Sequence, residues 1–516
     1  MISNLNQLVK KACFYISFFI FSYPVFSQQY VAGESLSDKY KFSKIKAIAD
    51  DGHGGVVIAR SYYGGVIMSL KGYYIEHYNK ELELINEYKY AVDEVEVIDV
   101  FIADGYVTVL EVNYDKLRGA YVYWANRSPV DVMEFNRTKL FHFDRKKEKQ
   151  INFLKSPTNT FGDNYYSQLL FDKDQSVFAI TVDSKQKGKD LHQIYVFDKR
   201  LNKKAFYTFK EETETRHLVF ENIAYNSDNS IYLLAKAYQK GKRTKAISAK
   251  YAYQLFKLKN ETAIVSEFNG QDRYLSALNL ITGPEKLRCV GFYSDSGNKK
   301  FRGLVYTEID KNTLEVKMQK FNPFSKQFML DKYGAEVDKE VKNLVFRDLH
   351  ETDDGALIFN AEECYMKKVF RSESDSRTWV NRYHYNDIVC VKLNKSGDLE
   401  WARNINKAEA TEGDEAYVSY STAYNKENNC FFINSGAVPQ QISKNRILFK
   451  RGYSRNPDVY RIDITNEGEM RYEQLINNKE VRLPVMVSKG TTSIQKDAIY
   501  FLARRGNRKQ LVKVFL

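Results

Sequence analysis

The chain has 516 residues, 43% of them hydrophobic and 28% charged, a balance that excludes an intrinsically disordered polymer and a length that excludes one ordinary hydrophobic core. Aromatic residues reach 14%, with 38 Tyr and 33 Phe against 8 Pro, and the formal net charge is +13. Tyr and Phe favour pleated, half-buried strands, so the composition predicts an all-β protein with basic surface.

In chain order, residues 1–27 read as a signal peptide: Lys10 and Lys11 precede an apolar run from Ala12 to Phe21, and Val25 and Ser27 are the small residues expected before a cleavage site. Cleavage after Ser27 predicts a mature chain of residues 28–516 in the periplasm, at the cell surface or secreted. The apolar run is short of the ~20 residues of a membrane span, and no later segment reads as transmembrane, so the chain is not expected to be integral to a membrane. The cysteines beyond this segment are Cys289, Cys364, Cys390 and Cys430, with no CxxC pair, so no metal or redox cofactor is expected. Each falls in or beside a predicted strand, where a buried free thiol is the commoner outcome even in an oxidising compartment.

From about residue 45 a unit recurs: an apolar strand, a turn rich in Asp, Asn and Gly, a second apolar strand, a polar connection, then two more strands joined by a tight turn. The first turn stands at Asp50-Asp51-Gly52, Asp104-Gly105, Asp172-Lys173-Asp174, Asn226-Ser227-Asp228-Asn229, Thr282-Gly283-Pro284, Asp353-Asp354-Gly355 and Asn425-Lys426-Glu427-Asn428. The second is seen at Asn79-Lys80-Glu81, Asp198-Lys199, Asp310-Lys311-Asn312, Asn394-Lys395-Ser396-Gly397 and Thr465-Asn466-Glu467-Gly468. Such residues tolerate positive φ or bond their own backbone. Units begin near residues 45, 97, 167, 219, 274, 343 and 417. Four antiparallel strands per unit predict a single all-β β-propeller of about eight, that is seven or eight, four-stranded blades over residues 28–516.

The stretch from Val481 to Leu516 has room for three strands, and a segment near Gln29 to Ala32 is expected to supply the missing outer one and close the ring. Residues 322–343 form a longer polar connection, with a short helix expected over Ala335 to Glu340. Two tandem β-sandwiches would give a similar strand rhythm. An outer-membrane barrel would need ~10-residue strands with a lipid-facing stripe, whereas these are shorter and punctuated by charge.

Propeller geometry places the connections between second and third strands on one face and the tight turns on the other. The connections are rich in Lys and Arg, and the candidate ligand-binding set is Lys242, Arg243, Lys367, Lys368, Arg371, Arg377, Trp379, Arg382, Arg446 and Arg451, with Tyr121, Tyr123, Trp124, Tyr383 and Tyr385 on the same face. The first tight turns carry Asp50, Asp51, Asp104, Asp172, Asp174, Asp228, Asp353 and Asp354 instead. One basic, aromatic face points to an anionic partner: an acidic glycan, lipid headgroups or an acidic protein surface, with nucleic acid disfavoured by compartment. The long connections 114–137, 364–385 and 435–457 are the expected places for a site.

His53 lies in Asp50-Asp51-Gly52-His53-Gly54-Gly55, but metal ligands would then be packed into one tight turn whose Asp and Gly turn chemistry already explains. No GxSxG, HExxH or Walker-type sequence occurs. Ser372-Glu373-Ser374-Asp375-Ser376-Arg377-Thr378-Trp379 resembles the Asp-box of sialidase-like propellers, with Asp375 one place late and Ser376 in the place of Gly; the resemblance implies a structural turn. Ser396-Gly397-Asp398-Leu399-Glu400-Trp401 resembles the Gly-x-x-x-Trp docking element of quinoprotein-like propeller repeats, which locks neighbouring sheets; it occurs once, so no quinone is implied. Together with Asp353-Asp354-Gly355, Tyr385-Asn386-Asp387-Ile388 and Asn404-Ile405-Asn406-Lys407, it resembles a segment of secreted WD40- or quinoprotein-like propeller proteins of Bacteroidetes. That resemblance spans about residues 340–425 and implies fold and export, with no activity attached.

These observations favour a monomeric, non-enzymatic binding or scaffold propeller that engages a protein, glycan or envelope ligand of anionic character. The alternative is a glycan-active enzyme, a glycosidase or lyase, with acidic residues and arginines converging on a cavity at the central channel.

Overall fold

The computed structural model describes residues 29–516 except 93–94, 145–151, 154–165, 187–188, 210–215, 227, 240–250, 260, 269, 284–285, 296–299, 374–375, 426, 444, 452–455 and 478. The expected signal peptide lies outside the described residues. Seven successive stretches, 42–91, 96–144, 166–208, 216–268, 274–323, 344–411 and 421–476, each fold into four antiparallel strands taken in chain order. An eighth sheet brings the strand Tyr30–Ala32 together with the strands after residue 490. Thr491–Thr492, Ala498–Arg505 and Arg508–Phe515 pair in order, and Tyr30–Ala32 adds to the last of them with Tyr30 opposite Val514 and Ala32 opposite Val512.

Burial follows strand order within the sheets. Second strands such as Val56–Gly64 and Leu287–Ser294 are buried along nearly their whole length, while outer strands such as Leu84–Ala91 and Met470–Ile476 are largely exposed. A strand buried on both faces needs a near-continuous apolar run, which is why the segments after the Asp-rich turns read as they do.

The apolar clusters lie between sheets. Val57, Ala59 and Ile75 of the first sheet pack with Val100, Val107 and Val109 of the second, and Phe101, Leu110 and Tyr123 of the second meet Phe178 and Phe197 of the third. The series continues third to fourth, fourth to fifth, fifth to sixth, sixth to seventh and seventh to eighth. Ile58 and Tyr78 of the first sheet then meet Tyr500 and Leu502 of the eighth. Sheets that bury both faces against their chain neighbours are packed as β-propeller blades.

Three local expectations change. The stretch 114–137 contains the strand Ala120–Pro129, so Tyr121 and Tyr123 are core residues rather than surface aromatics. Its polar sequence hid this, because Arg127 lies over the Tyr106 ring at 3.6 Å and Arg137 over Trp124 at 4.4 Å. The stretch 435–457 holds two short strands, Gln440–Ser443 and Arg446–Lys450. The helix of the long connection is Lys326–Tyr333, ahead of Ala335: Ser325 Oγ accepts the Phe328 N–H at 3.2 Å, and Gly334, at φ 76°, ends it. These are the N-cap and C-terminal glycine signals that bound a helix. The cysteines Cys289, Cys364, Cys390 and Cys430 are free. No helix of the described residues is long and apolar enough to cross a membrane.

Candidate binding hairpin and its buried base

The sixth sheet departs from the others in strand length and in strand number, since its fourth strand also pairs in parallel with Arg446–Lys450 and through it with Gln440–Ser443. Its second and third strands, Leu357–Glu373 and Ser376–Leu393, have 17 and 18 residues, against 9 in Val56–Gly64 and 10 in Tyr106–Asp115. Pairing with the first strand ends at Leu344 opposite Glu363, and pairing with the fourth ends at Thr411 opposite Tyr383. The strand ends 364–373 and 376–382 therefore run on beyond the sheet's other pairings as a ribbon (364–382), two-stranded from Lys367 opposite Arg382 outward and roughly 23 Å long per strand there at about 3.3 Å per residue.

Register sorts the ribbon into two faces, because side chains alternate along each strand. Met366 stands opposite Tyr383, Lys368 opposite Asn381 and Phe370 opposite Trp379 on one face. Here Met366, Phe370, Trp379 and Tyr383 are 48, 50, 68 and 37% exposed, and the Phe370 and Trp379 rings meet edge to face at 5.3 Å. On the other face Tyr365 stacks on His384 at 4.6 Å, Lys367 lies 5.2 Å from the Tyr365 ring, and Arg371 and Arg382 both reach Glu412, at 2.5 and 2.6 Å. Burial, with Lys367 and Arg382 nearby, holds the His384 imidazole below its ordinary value.

The candidate basic residues are thus distributed. Lys368 and Trp379 share the open face, while Lys367, Arg371 and Arg382 share the face turned to Glu412. Arg377 pairs with Ser372 in the ladder. Arg446 donates from Nε to the Asp331 carbonyl at 2.9 Å and also to the Lys332 carbonyl, holding the end of the helix. Arg451 lies 5.8 Å from the Tyr417 ring. Lys242 and Arg243 fall outside the described residues.

Beneath the ribbon is a sealed ionic network. Lys407 bridges Glu362 at 2.9 Å and Glu409 at 2.8 Å, none of the three with exposed side-chain surface, and donates a third bond to the Tyr385 carbonyl at 2.9 Å. Arg347 adds a 2.7 Å pair to Glu362, and the Ser419 hydroxyl donates to the same carboxylate at 2.6 Å. Burial pushes both carboxyls up; at Glu362 the Lys407 and Arg347 charges outweigh it and the carboxyl sits below its ordinary value, whereas at Glu409 burial wins. Alongside, Lys332 of the helix pairs with Glu363 at 3.0 Å and Asp387 at 2.6 Å, and Asp331 takes Arg403 at 2.6 Å. Asn406 donates to the Asp331 carbonyl at 2.9 Å. The segments Tyr385 to Ile388 and Asn404 to Lys407 thus converge on one lock that docks the helix at the ribbon's root. Buried charges paired in this way hold geometry, with Glu409 Oε1 left buried without a hydrogen-bond partner among the described residues. Glu362 and Glu409, in alternating strands, and Asp331 and Lys332, in a polar connection, gave no signal in the sequence, since charged residues in both settings read as solvated positions.

Other candidates resolve similarly. Asp51 Oδ1 accepts the His53 and Gly55 N–H groups, at 2.7 and 2.8 Å, while its Oδ2 meets His77 Nε2 at 2.9 Å, so the His53 turn is held by its own aspartate. The carboxylates of Asp38, Glu76 and Glu87 converge closely enough for a metal, but Arg60 and Lys509 stand among them as the cations. Gly397 abuts the Tyr306 ring of the fifth sheet; Trp401 lies on Gly468 of the seventh and donates to the Asn466 carbonyl at 2.9 Å, so this element does bridge sheets. A cleft of about 240 Å³ beside the helix is lined by Arg302, Phe324, Met329, Glu336 and Asp338, with Arg302 paired to Asp338 and Lys326 to Glu336.

No family model matches the chain, and no curated protein matches it. Among solved structures it is similar to the β-propeller domain of the Trilobed protease from Pyrococcus furiosus, at 8% identity and TM-score 0.34 over 85% of this chain and 97% of that one. Prolyl oligopeptidase B from Galerina marginata is similar at 10% identity and TM-score 0.39, over 90% of this chain and 56% of that one. The acylaminoacyl peptidase of Pyrococcus horikoshii is similar at 9% and 0.35, over 90% and 58%. The chain spans a little over half the length of the two peptidases. At these scores the sheet arrangement rests on the pairing and packing described above.

Proposed function

We propose that the chain is an exported propeller of eight blades, closed by the pairing of Tyr30–Ala32 with Arg508–Phe515, and that it works as a binding or scaffold module with the ribbon 364–382 as its ligand-engaging element. The eight inter-sheet clusters support the blade number, and Lys10, Lys11 and the apolar run after them support export. The observation that carries the function is the open face of the ribbon. Four large apolar side chains stand exposed around Lys368, on a ribbon whose root is fixed by buried ion pairs. Exposed aromatics on a rigid support are the usual anchors of recognition. A glycan ring or protein side chain stacks on Phe370 and Trp379 while its anionic group meets Lys368.

The test is binding of residues 28–516 to neutral and acidic glycan arrays and to envelope protein extracts, comparing the wild-type chain with Phe370→Ser/Trp379→Ser. A specific ligand lost in the variant supports the reading. A ligand retained equally by both moves the site elsewhere.

A further inference from the structure

Three neighbouring sheets, the eighth, first and second, end in short connections between their second and third strands: 506–507, 65–68 and 116–119. Contacts between the sheets bring these tips to one end of the molecule. Arg504 donates to the Ser43 carbonyl at 3.4 Å between the eighth and first sheets, and Tyr90 Oη donates to Glu111 at 2.7 Å between the first and second. The strands leading to the tips are of similar length, 8, 9 and 10 residues.

What they carry is unusual for a solvated turn. Val66, Ile67 and Leu117 are 102, 87 and 100% exposed, with Phe42 beside them at 56%. The first-sheet tip is Gly65-Val66-Ile67-Met68, closed by the Met68 N–H on the Gly65 carbonyl at 3.2 Å, so its apolar residues are held outward by the turn itself. Around them Lys71, Lys116, Arg118, Arg505 and Arg508 are exposed. Acidic residues stand at these rims as well: the Asp115 carboxylate accepts the Leu117 and Arg118 N–H groups at 3.0 and 3.1 Å and pairs with the Arg118 guanidinium at 3.6 Å, and Asp144, opposite Ala120, is exposed. At the opposite end, the first turns of the same sheets carry Asp50, Asp51 and Asp104, with Ile494 as their exposed apolar residue.

We infer that these tips seat the protein on a lipid surface bearing anionic headgroups: Val66, Ile67 and Leu117 enter the boundary between headgroups and acyl chains, and the surrounding lysines and arginines meet the phosphates. A protein partner buries a contiguous apolar patch, whereas here apolar side chains project from neighbouring turns with cations around them, the layout that suits a negatively charged lipid interface. These residues are distinct from those of the ribbon 364–382, which joins the second and third strands of the sixth sheet, and the inference goes beyond the ligand reading given for it.

The test is sedimentation of residues 28–516 with vesicles of phosphatidylglycerol mixed into phosphatidylcholine, and with phosphatidylcholine alone, at low and high salt. Binding to the anionic vesicles, weakened by salt, is expected to fall by about tenfold or more in both Val66→Ser/Ile67→Ser/Leu117→Ser and Lys116→Gln/Arg118→Gln/Arg505→Gln/Arg508→Gln. All of these residues are exposed, so circular dichroism should show both variants folded. A Leu117→Trp chain should add blue-shifted emission with anionic vesicles that brominated lipid quenches. Phe370→Ser/Trp379→Ser should keep vesicle binding, which separates this surface from the ribbon. No binding to anionic vesicles, binding unchanged in the Val66/Ile67/Leu117 variant, or binding lost only in the ribbon variant overturns the inference, and capture of a protein by these tips in place of vesicles does so too.

Discussion

Asp38 and Lys509 meet at 2.8 Å, joining the segment before the first sheet to the last strand of the eighth. Arg60 completes the contact at 2.6 Å from Asp38, and none of these side chains has more than 2% exposure. Asp38→Ala leaves Arg60 and Lys509 buried with fewer counter-charges and should cost about 3–5 kcal/mol, read as a lower urea midpoint. Burial alone would raise the Asp38 carboxyl, but Arg60 and Lys509 hold it below its ordinary 3.8. The folded value is the lower one, so this contribution is present above pH 3.8 and is lost as pH falls through the folded value. The wild type should lose more stability across that range than Asp38→Ala.

Among the described residues, Lys407 is the one cation bonded to both Glu362 and Glu409. Lys407→Met should cost about 3–5 kcal/mol, because two buried carboxylates lose their shared partner. Adding Glu409→Gln should recover part of the loss. Equal midpoints for the single and double variants would show that the charges act independently.

His350 stacks on Tyr424 at 3.7 Å between ring centres, and its imidazole is held down at about 4, first by burial and then by nearby lysines. The unfolded chain takes up this proton at 6.5, before the folded one does, so stability is full above 6.5 and declines as pH falls towards about 4. His350→Gln should flatten that part of the stability profile while leaving the neutral midpoint nearly unchanged.

Gly468 has φ 84°, and a Cβ there would stand 2.8 Å from Trp401. Gly468→Ala should destabilise by about 1–3 kcal/mol, from left-handed backbone and overpacking together. The displaced Trp401 ring should red-shift in fluorescence, and an unshifted spectrum would mean the indole does not rest on this glycine.

Trp379 is 68% exposed, so Trp379→Ser should change stability by no more than about 0.5 kcal/mol. A stability loss several times larger would make the indole a structural contact and remove it from the ligand face.

The strand rhythm was legible without coordinates. Turns at Asp50-Asp51-Gly52 or Asp104-Gly105 need residues that accept positive φ or cap their own amides, and strands buried on both faces need apolar runs, so both leave local marks that sequence carries by itself. The count of strands pointed to Gln29 to Ala32, because Val481 to Leu516 has room for only three, and Tyr30–Ala32 pairs with Arg508–Phe515 there. What only the tertiary structure decided is which charges are buried and which apolar groups are not. Glu362, Lys407 and Glu409 sit in alternating strands like solvated residues, yet pair with one another with no exposed side-chain surface; Val66 and Ile67 sit in a hydrophobic run, yet face solvent. Arg371 and Arg382 counted as free charge until Glu412, from another strand's end, met both. Charge pairing and exposure are set by residues far apart in the chain, and a local pattern holds no record of them.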